Sequence, residues 1–459
     1  MEKFTLTTRI ERPSAEVFAW HERPGALGRL CPPWEKVEIV SATGGVRDGA
    51  RVVVRNRRGP FSLEWQVEHR GYVAGREFRD VQLSGPFSNW EHIHRVTPAG
   101  ASACLLTDEI SYRLPGGAVG RLLAGGHVRR ELARLFAWRH ATTKADLELG
   151  ARYDTRRRRI VVAGASGLLG TALVHFLLTQ GHEVVRLVRR APSGPGEASW
   201  NPDRGELSPA IVSGADAVVN LSGENVGAGR WSPDRREAIL RSRVDATRTL
   251  VAAMKAAERP PEVFVSASAV GFYGERGDEV LTEDAAIGSG FLPEVCLAWE
   301  THADVAARAG IRTALLRFGV VLTPAGGALA KMLPVFRLAA GGRVGSGRQW
   351  MSWIGRDDAL GAVYHAIMTA SCRGPVNVCA PGAVTNAGFT RELASALGRP
   401  AMFPVPSFVL RAIFGQMADE TLLASTRAEP AALQASGFVF RHAEVGACLS
   451  HELGVPRRD

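Results

Sequence analysis

The segment Gly164-Ala165-Ser166-Gly167-Leu168-Leu169-Gly170 spaces three glycines in a way that suits phosphate binding by the backbone. It follows the apolar run Ile160-Val161-Val162-Ala163 and leads into an apolar helical stretch through Leu178. A second strand is expected over Glu183 to Val188, which makes a strand-turn-helix-strand unit. In such a unit Gly164 permits the tight turn, Gly167 lets the backbone approach a pyrophosphate, and Gly170 lets the helix pack closely on the strand. The helix N-terminus adds unpaired N–H donors and a partial positive charge. The end of the second strand then chooses the nucleotide. An acidic residue there would bond a ribose 2′-hydroxyl, but this chain has Val188-Arg189-Arg190. A guanidinium pairs with a 2′-phosphate through charge-assisted bonds, which favours NADP(H) over NAD(H). The plainer alternative leaves one or both arginines as exposed strand-end residues.

The elements that must position this turn are legible further on. Asp216 to Asn220, Glu262 to Ser268 and Ala314 to Phe318 read as strands separated by helical stretches. That alternation predicts a doubly wound parallel α/β sheet, with Asn220, Ser266 and Ser268 at the strand ends where ligands bind. The first 150 residues follow another order: a strand at Phe4–Ile10, a short helix from Ser14 with Ser14 as its cap, then extended segments. Breaks such as Gly59-Pro60 separate the segments, and Phe61-x-Leu63-x-Trp65-x-Val67 alternates as a one-sided strand does. A long helix over about Ala118–Leu149 closes the block, with Leu122, Leu123, Leu132, Leu135 and Phe136 expected on one side. His92 and His94 share a strand face with Trp90 and are expected to be solvated or core residues rather than ligands. Residues 151–159 read as an Arg-rich linker.

The chain has 459 residues and a net charge of +10. Residues 1–159 hold 27 Lys and Arg against 18 Asp and Glu, and the remainder is close to neutral. No interleaved basic-aromatic face or known binding motif accompanies that excess, so no nucleic-acid partner is expected. The six cysteines show no ligand or framework spacing, so no metal and no disulfide scaffold are expected. No apolar run is long enough to span a membrane, and a cytoplasmic protein is the default.

The first block resembles the START/polyketide-cyclase-like (SRPBCC) superfamily through its element order. The resemblance implies an α+β helix-grip domain over residues 1–150 that binds an apolar small molecule. From Arg159 onward the chain resembles the atypical epimerase-like family of the extended short-chain dehydrogenase/reductase superfamily. The match runs through Trp200-Asn201-Pro202, Asn220-Leu221-Ser222-Gly223-Glu224-Asn225, Arg230-Trp231, Ser242-Arg243, Arg317-Phe318-Gly319, Ser352-Trp353-Ile354 with Asp357-Asp358, and Thr385-Asn386. It implies a Rossmann domain over 160–402 and a small helical C-terminal domain over 403–459. It also implies NADP(H) held by Gly164, Ser166, Gly167, Leu168, Gly170, Arg189, Leu221, Ser222 and Arg243.

Members of that superfamily typically work with Ser, Tyr and Lys, the Tyr serving as acid/base. Ser268 stands at the serine position, but the Tyr and Lys positions carry Cys296 and Glu300. A cysteine beside a carboxylate stays protonated at neutral pH. Tyr273, in the loop after Ser268, offers another hydroxyl or simply packs there. Ser268, Tyr273 and Cys296 are therefore the candidate catalytic residues, with substrate expected near Trp350, Met351 and Trp353. Two functions stay open: an NADP(H)-dependent oxidoreductase or epimerase acting on a small-molecule substrate, and a nucleotide-sensing or ligand-carrying protein without turnover.

Overall fold

The computed structural model describes residues 1–58, 61–154 and 156–457. The break at Gly59-Pro60 and Thr155 of the expected linker lie outside the described residues. The chain divides into two compact units, Met1–Thr155 with His175–Gly181, and Arg156–Val174 with His182–Asp459.

In the first unit β1 (Glu2–Ile10) is followed by α1 (Ser14–Glu22) and α2 (Ala26–Arg29). Six strands come next: β2 (Val37–Ala42), β3 (Arg51–Arg58), β4 (Phe61–Val73), β5 (Glu77–Ser84), β6 (Asn89–Pro98) and β7 (Cys104–Arg113). They form one antiparallel sheet in the order β1-β7-β6-β5-β4-β3-β2, and α3 (Gly117–Gly150) closes the unit. Ser14 does not cap α1. Pro13 holds the cap position and no side chain bonds the first turn, while Glu16 still meets the positive end of the helix. On α3 the residues from Ala124 onward reach the sheet's apolar face. Leu132 and Phe136 pack with Trp90, Ile110 and Tyr112, and Leu135 joins them half-buried. Leu122 and Leu123, expected on that same side, are 85% and 80% exposed, because the first turns meet no apolar partner. Along β4, Trp65 and Val67 are half-buried while Phe61 and Leu63 at the hairpin end are exposed.

His92 is buried and His94 nearly so, which makes them core rather than solvated residues. Antiparallel register sets Asp80 opposite His92 and His94 opposite Asp108.

The second unit is built on a parallel sheet of β8 (Arg159–Ala163), β9 (Glu183–Val188), β10 (Glu197–Ser199), β11 (Ala217–Asn220), β12 (Val263–Ala269), β13 (Arg312–Phe318) and β14 (Gly374–Val378). Its spatial order is β10-β9-β8-β11-β12-β13-β14. Strand order reverses between β8 and β11, so the crevice for a ligand opens at their C-terminal ends. Residues 217–220 of β11 are all buried, which is why the strands read as unbroken apolar runs. The helices that frame the crevice are α4 (Leu168–Thr179), α5 (Pro209–Val212), α6 (Pro233–Ala256) and α7 (Phe291–Arg308). Ser232 caps α6, its hydroxyl accepting from the Arg235 N–H at 3.2 Å, with Pro233 in the first turn.

The C-terminal segment belongs to the same compact unit. Val445, Cys448, Leu449 and Leu453 share a core with Leu329, Leu333, Trp353 and Phe389. Trp353, expected to face substrate, is fully buried and donates its indole N–H to the Gly382 carbonyl at 2.7 Å. The arginines before β8 meet the unit's own acids: Arg156 pairs with Asp216 at 3.0 Å and with Glu262 at 3.3 Å. No helix among the described residues is long and apolar enough to cross a membrane.

Candidate functional site

The glycine turn sits where β8 gives way to α4, beside the end of β11. Gly164 adopts a left-handed φ of 76°. A side chain there would also strike the Leu221 carbonyl carbon at 2.6 Å and the Ser222 nitrogen at 2.8 Å. A Cβ on Gly170 would stand 2.0 Å from the Gly164 oxygen, so the helix can approach the turn only without one. Gly167 differs: it is exposed and its Cβ would meet only the Gly164 oxygen, at 3.2 Å. Its bareness keeps open the space in front of the helix N-terminus. Ser166 and Leu168 flank that space and are exposed.

Opposite the turn, Ser222 and Leu221 are half-buried. The Ser222 hydroxyl is out of solvent and has no hydrogen-bond partner among the described residues. Buried hydroxyls are normally satisfied, and a bound phosphate or ribose oxygen would satisfy this one. The turn, the open space and the orphan hydroxyl together fit a dinucleotide.

The two arginines after β9 have separate fates. Arg190 grips Glu197 with two bonds of 2.8 Å, and this pairing together with Ser193 pulls the Glu197 carboxyl down to about 2. Arg189 is exposed and makes no ion pair or side-chain hydrogen bond among the described residues. Arg243 is not a surface residue. Its guanidinium lies beneath Gly223, donates to the Ile239 and Glu224 carbonyls at 2.9 and 3.0 Å, and stacks on Trp299 at 5.0 Å. Burial lowers its pKa.

At the ends of β12 and β13 the candidate catalytic residues enter a closed polar network. Ser268, 3% exposed, donates to Glu300 Oε1 at 2.7 Å. Glu300 is held in turn by Arg317 through two bonds of 2.8 Å, and both residues are buried. Arg317 Nη1 also donates to the Tyr273 hydroxyl at 2.9 Å, and that hydroxyl donates to Asn377 Oδ1 at 2.7 Å. The Arg317 guanidinium rests on the Phe272 ring at 3.6 Å. Burial works against its charge, but the Glu300 carboxylate more than offsets this and raises its pKa.

Tyr273 therefore has no exposed surface and no spare hydroxyl proton, and burial raises its pKa despite the neighbouring cation. Cys296 is buried one helical turn before Glu300 on α7. Burial first, and the Glu300 charge second, push its thiol up to about 11. Ser268, Cys296 and Glu300 are brought together, while Tyr273 joins them through Arg317. Arg317 and Asn377 are network members that reading for a Ser-Tyr-Lys set does not find. The available signal was an arginine in an otherwise apolar strand, Ala314-Leu315-Leu316-Arg317-Phe318.

A cleft of ≈ 390 Å³ opens beside this network, lined among others by Gly271, Leu292, Pro293, Arg411, Glu420 and Leu423. Glu420 caps α7, accepting from the Phe291 and Leu292 N–H groups at 3.1 and 2.8 Å. Trp350, half-buried, donates its indole N–H to Asp278 at 2.7 Å.

Comparison with known proteins agrees with both halves of this architecture. Residues 160–379 match the NAD dependent epimerase/dehydratase family, and residues 405–452 match a domain of unknown function, DUF1731. Residues 10–138 match the polyketide cyclase / dehydrase and lipid transport family. Epimerase family protein Mb2239 of Mycobacterium bovis is 44% identical over 64% of this chain and 96% of its own length. The crystal structure of a nucleoside-diphosphate sugar epimerase from Corynebacterium glutamicum is 35% identical, with TM-score 0.82, over 98% of this chain and 90% of that one. The human epimerase family protein SDR39U1, crystallised with NADPH, is 35% identical with TM-score 0.59 over 63% of this chain and 97% of its own. The chain belongs to the epimerase family of the short-chain dehydrogenase/reductase superfamily, joined to an N-terminal domain of the polyketide cyclase and lipid transport family.

Proposed function

We propose that the second unit binds NADP(H) at the β8–α4 turn, with Arg189 meeting the 2′-phosphate, and uses it without the family's Tyr–Lys proton relay. Among the described residues Arg189 makes no ion pair at the end of β9, while Arg190 is committed to Glu197. The glycine turn and the Ser222 hydroxyl would hold the pyrophosphate and ribose. Arg243 would shape the floor under Gly223. The human relative crystallised with NADPH supports the same nucleotide here.

The observation that carries the rest is the Ser268-Glu300-Arg317 chain of hydrogen bonds. A carboxylate stands where a lysine would lower the pKa of a proton donor. It is paired with Arg317, and it accepts the hydrogen bond of the Ser268 hydroxyl. Bound nicotinamide supplies a hydride donor or acceptor, but these residues hold no readily transferred proton at neutral pH. The reading this favours is a nucleotide-dependent binding protein, in which NADP(H) orders the crevice and its cleft for a small-molecule ligand. An apolar ligand in the first unit fits the lipid-transport family found there.

A second reading is favoured by Cys296. Its thiol keeps its proton, as a tyrosine would, and it occupies the acid position beside Ser268. In that reading the protein is a slow oxidoreductase or epimerase, in line with the name of the Corynebacterium structure. Absorbance of bound NADPH, followed while sugar nucleotides and carbonyl compounds are offered, separates the two. No oxidation with any of them supports the binding protein. Oxidation that is lost in Cys296→Ala and Ser268→Ala supports the enzyme and removes the first reading.

A further inference from the structure

The first unit contains a buried cluster that nucleotide binding does not use. β4 gives His69, β5 gives Asp80, β6 gives His92 and His94, and β7 gives Asp108. The register sets His69 opposite Asp80, Asp80 opposite His92, and His94 opposite Asp108. His92 Nδ1 lies 3.5 Å and His94 Nε2 3.2 Å from one oxygen, Asp80 Oδ2. Zinc–nitrogen bonds of 2.0–2.1 Å imply a tetrahedron edge of about 3.4 Å, so these are ligand-to-ligand spacings. All three donor atoms fall within 4.8 Å of one another.

We propose that the first unit binds one divalent first-row transition cation, zinc or iron(II), through Asp80, His92 and His94.

Two further observations support this. The first is the outer shell. Histidines that ligate metals give their other ring nitrogen to a carboxylate or carbonyl, which fixes the tautomer and aims the ligating nitrogen. Both histidines do so here, and to the same oxygen: His92 Nε2 lies 2.9 Å and His94 Nδ1 2.8 Å from Asp108 Oδ1. Asp108 is itself anchored, its Oδ2 taking His140 Nε2 at 2.6 Å, and His140 Nδ1 meets the Thr8 hydroxyl at 2.7 Å. Each first-layer donor is thereby turned toward Asp80.

The second observation is His69. It is 7% exposed, and its Nδ1 lies 2.7 Å from Asp80 Oδ1 but outside hydrogen-bond geometry. Neither atom has a hydrogen-bond partner among the described residues. A third imidazole thus stands against the far oxygen of the Asp80 carboxylate, which steadies that carboxylate from behind while its other oxygen faces His92 and His94.

The surroundings suit an imidazole-carboxylate cation site. Phe78 stacks on His94 at 4.3 Å, and the Phe136 ring meets His92 edge-on at 5.0 Å. The His94 and Asp80 side chains keep 12% and 19% exposure, which leaves an approach for the ion and a position for an outside oxygen or nitrogen ligand. Imidazole with carboxylate selects zinc or iron over the hard cations, and two histidines with one carboxylate form the iron(II) type of site.

The test uses the full-length protein freed of metal by chelation and titrated with Co²⁺ as an optical probe. One Co²⁺ per chain is expected, with visible d–d bands that Zn²⁺ displaces. Elemental analysis of protein as isolated distinguishes zinc from iron. His94→Ala abolishes the bands, and Asp108→Asn weakens binding about 10- to 100-fold while keeping one site per chain. His127→Ala, at an exposed position on α3, leaves binding unchanged. Wild-type protein that takes up no stoichiometric Co²⁺ overturns the proposal and leaves a hydrogen-bond network alone. So does uptake that is unaltered in both His94→Ala and the near-isosteric Asp80→Asn. If the alanine variant fails to fold, the wild-type stoichiometry and Asp80→Asn decide the matter.

Discussion

Cutting Glu300 back to alanine isolates the carboxylate that joins Ser268 to Arg317. The change leaves the Arg317 guanidinium charged at a site only 3% exposed, without either of its 2.8 Å carboxylate bonds. It also strips the Ser268 hydroxyl of its acceptor. Removing one partner of a buried ion pair costs about 3–5 kcal/mol, and the lost serine bond adds ~1 kcal/mol. At roughly 2–4 °C per kcal/mol, the melting temperature of this unit should fall by about 8–24 °C. Glu300→Gln, which keeps the shape and one acceptor, should lose less. The double variant Glu300→Leu/Arg317→Met, which removes both charges, should also be more stable than Glu300→Ala. Glu300→Lys with Cys296→Tyr restores the family pattern on paper, yet it sets an ammonium against Arg317 and should be the least stable of the set. Differential scanning calorimetry of the full chain reads all of these. A Glu300→Ala melting temperature within about 2 °C of wild type would refute the structural role of the pair.

The remaining predictions concern the nucleotide turn and the thiols. Gly170→Ala forces its Cβ into the Gly164 carbonyl and should destabilise the chain by at least ~2 kcal/mol. Gly167→Ala should cost far less stability in urea unfolding but weaken NADPH binding in calorimetric titration, because its Cβ enters open space. Ser222→Ala should leave the free protein as stable as wild type or slightly more so, since its hydroxyl has no partner to lose. The same variant should weaken NADPH by about 5- to 10-fold, the worth of one ~1 kcal/mol hydrogen bond. Iodoacetamide at pH 8 should label the half-buried Cys31 first and leave Cys296 intact, as mapped by peptide mass spectrometry. With its pKa at about 11, Cys296 is almost wholly the unreactive thiol at that pH.

The parts of this protein that sequence carried best were local. Ile160–Ala163 is apolar because both sheet faces are covered, and Gly170 is bare because Gly164 stands six residues before it, so strand, turn and helix could be read in order. Ser14 failed as a cap because Pro13 already set the chain's entry angle. Leu122 and Leu123 failed as core because periodicity gives a helix face without saying where the facing sheet ends. Trp353 failed as a pocket residue because a tryptophan near a motif packs as readily as it binds. The polar network was hidden for a different reason. Ser268, Glu300 and Arg317 lie on β12, α7 and β13, and only the parallel register Ser268↔Arg317 brings the strand ends together. The histidine cluster likewise depends on four antiparallel strands aligning His69, Asp80, His92, His94 and Asp108, and no short spacing along the chain announces it.

The central claim, that the second unit selects NADP(H) through Arg189, is tested most directly by comparative titration. NADPH and NADH are titrated separately into wild-type protein and Arg189→Ala, with nicotinamide fluorescence as the signal. Charge-assisted bonds to a 2′-phosphate are worth ~1.5–3 kcal/mol, so NADPH should bind at least about 10-fold more tightly than NADH. Arg189→Ala should remove that advantage and leave NADH unchanged. Equal affinities in the wild type, or an equal loss for both nucleotides in the variant, would contradict the account.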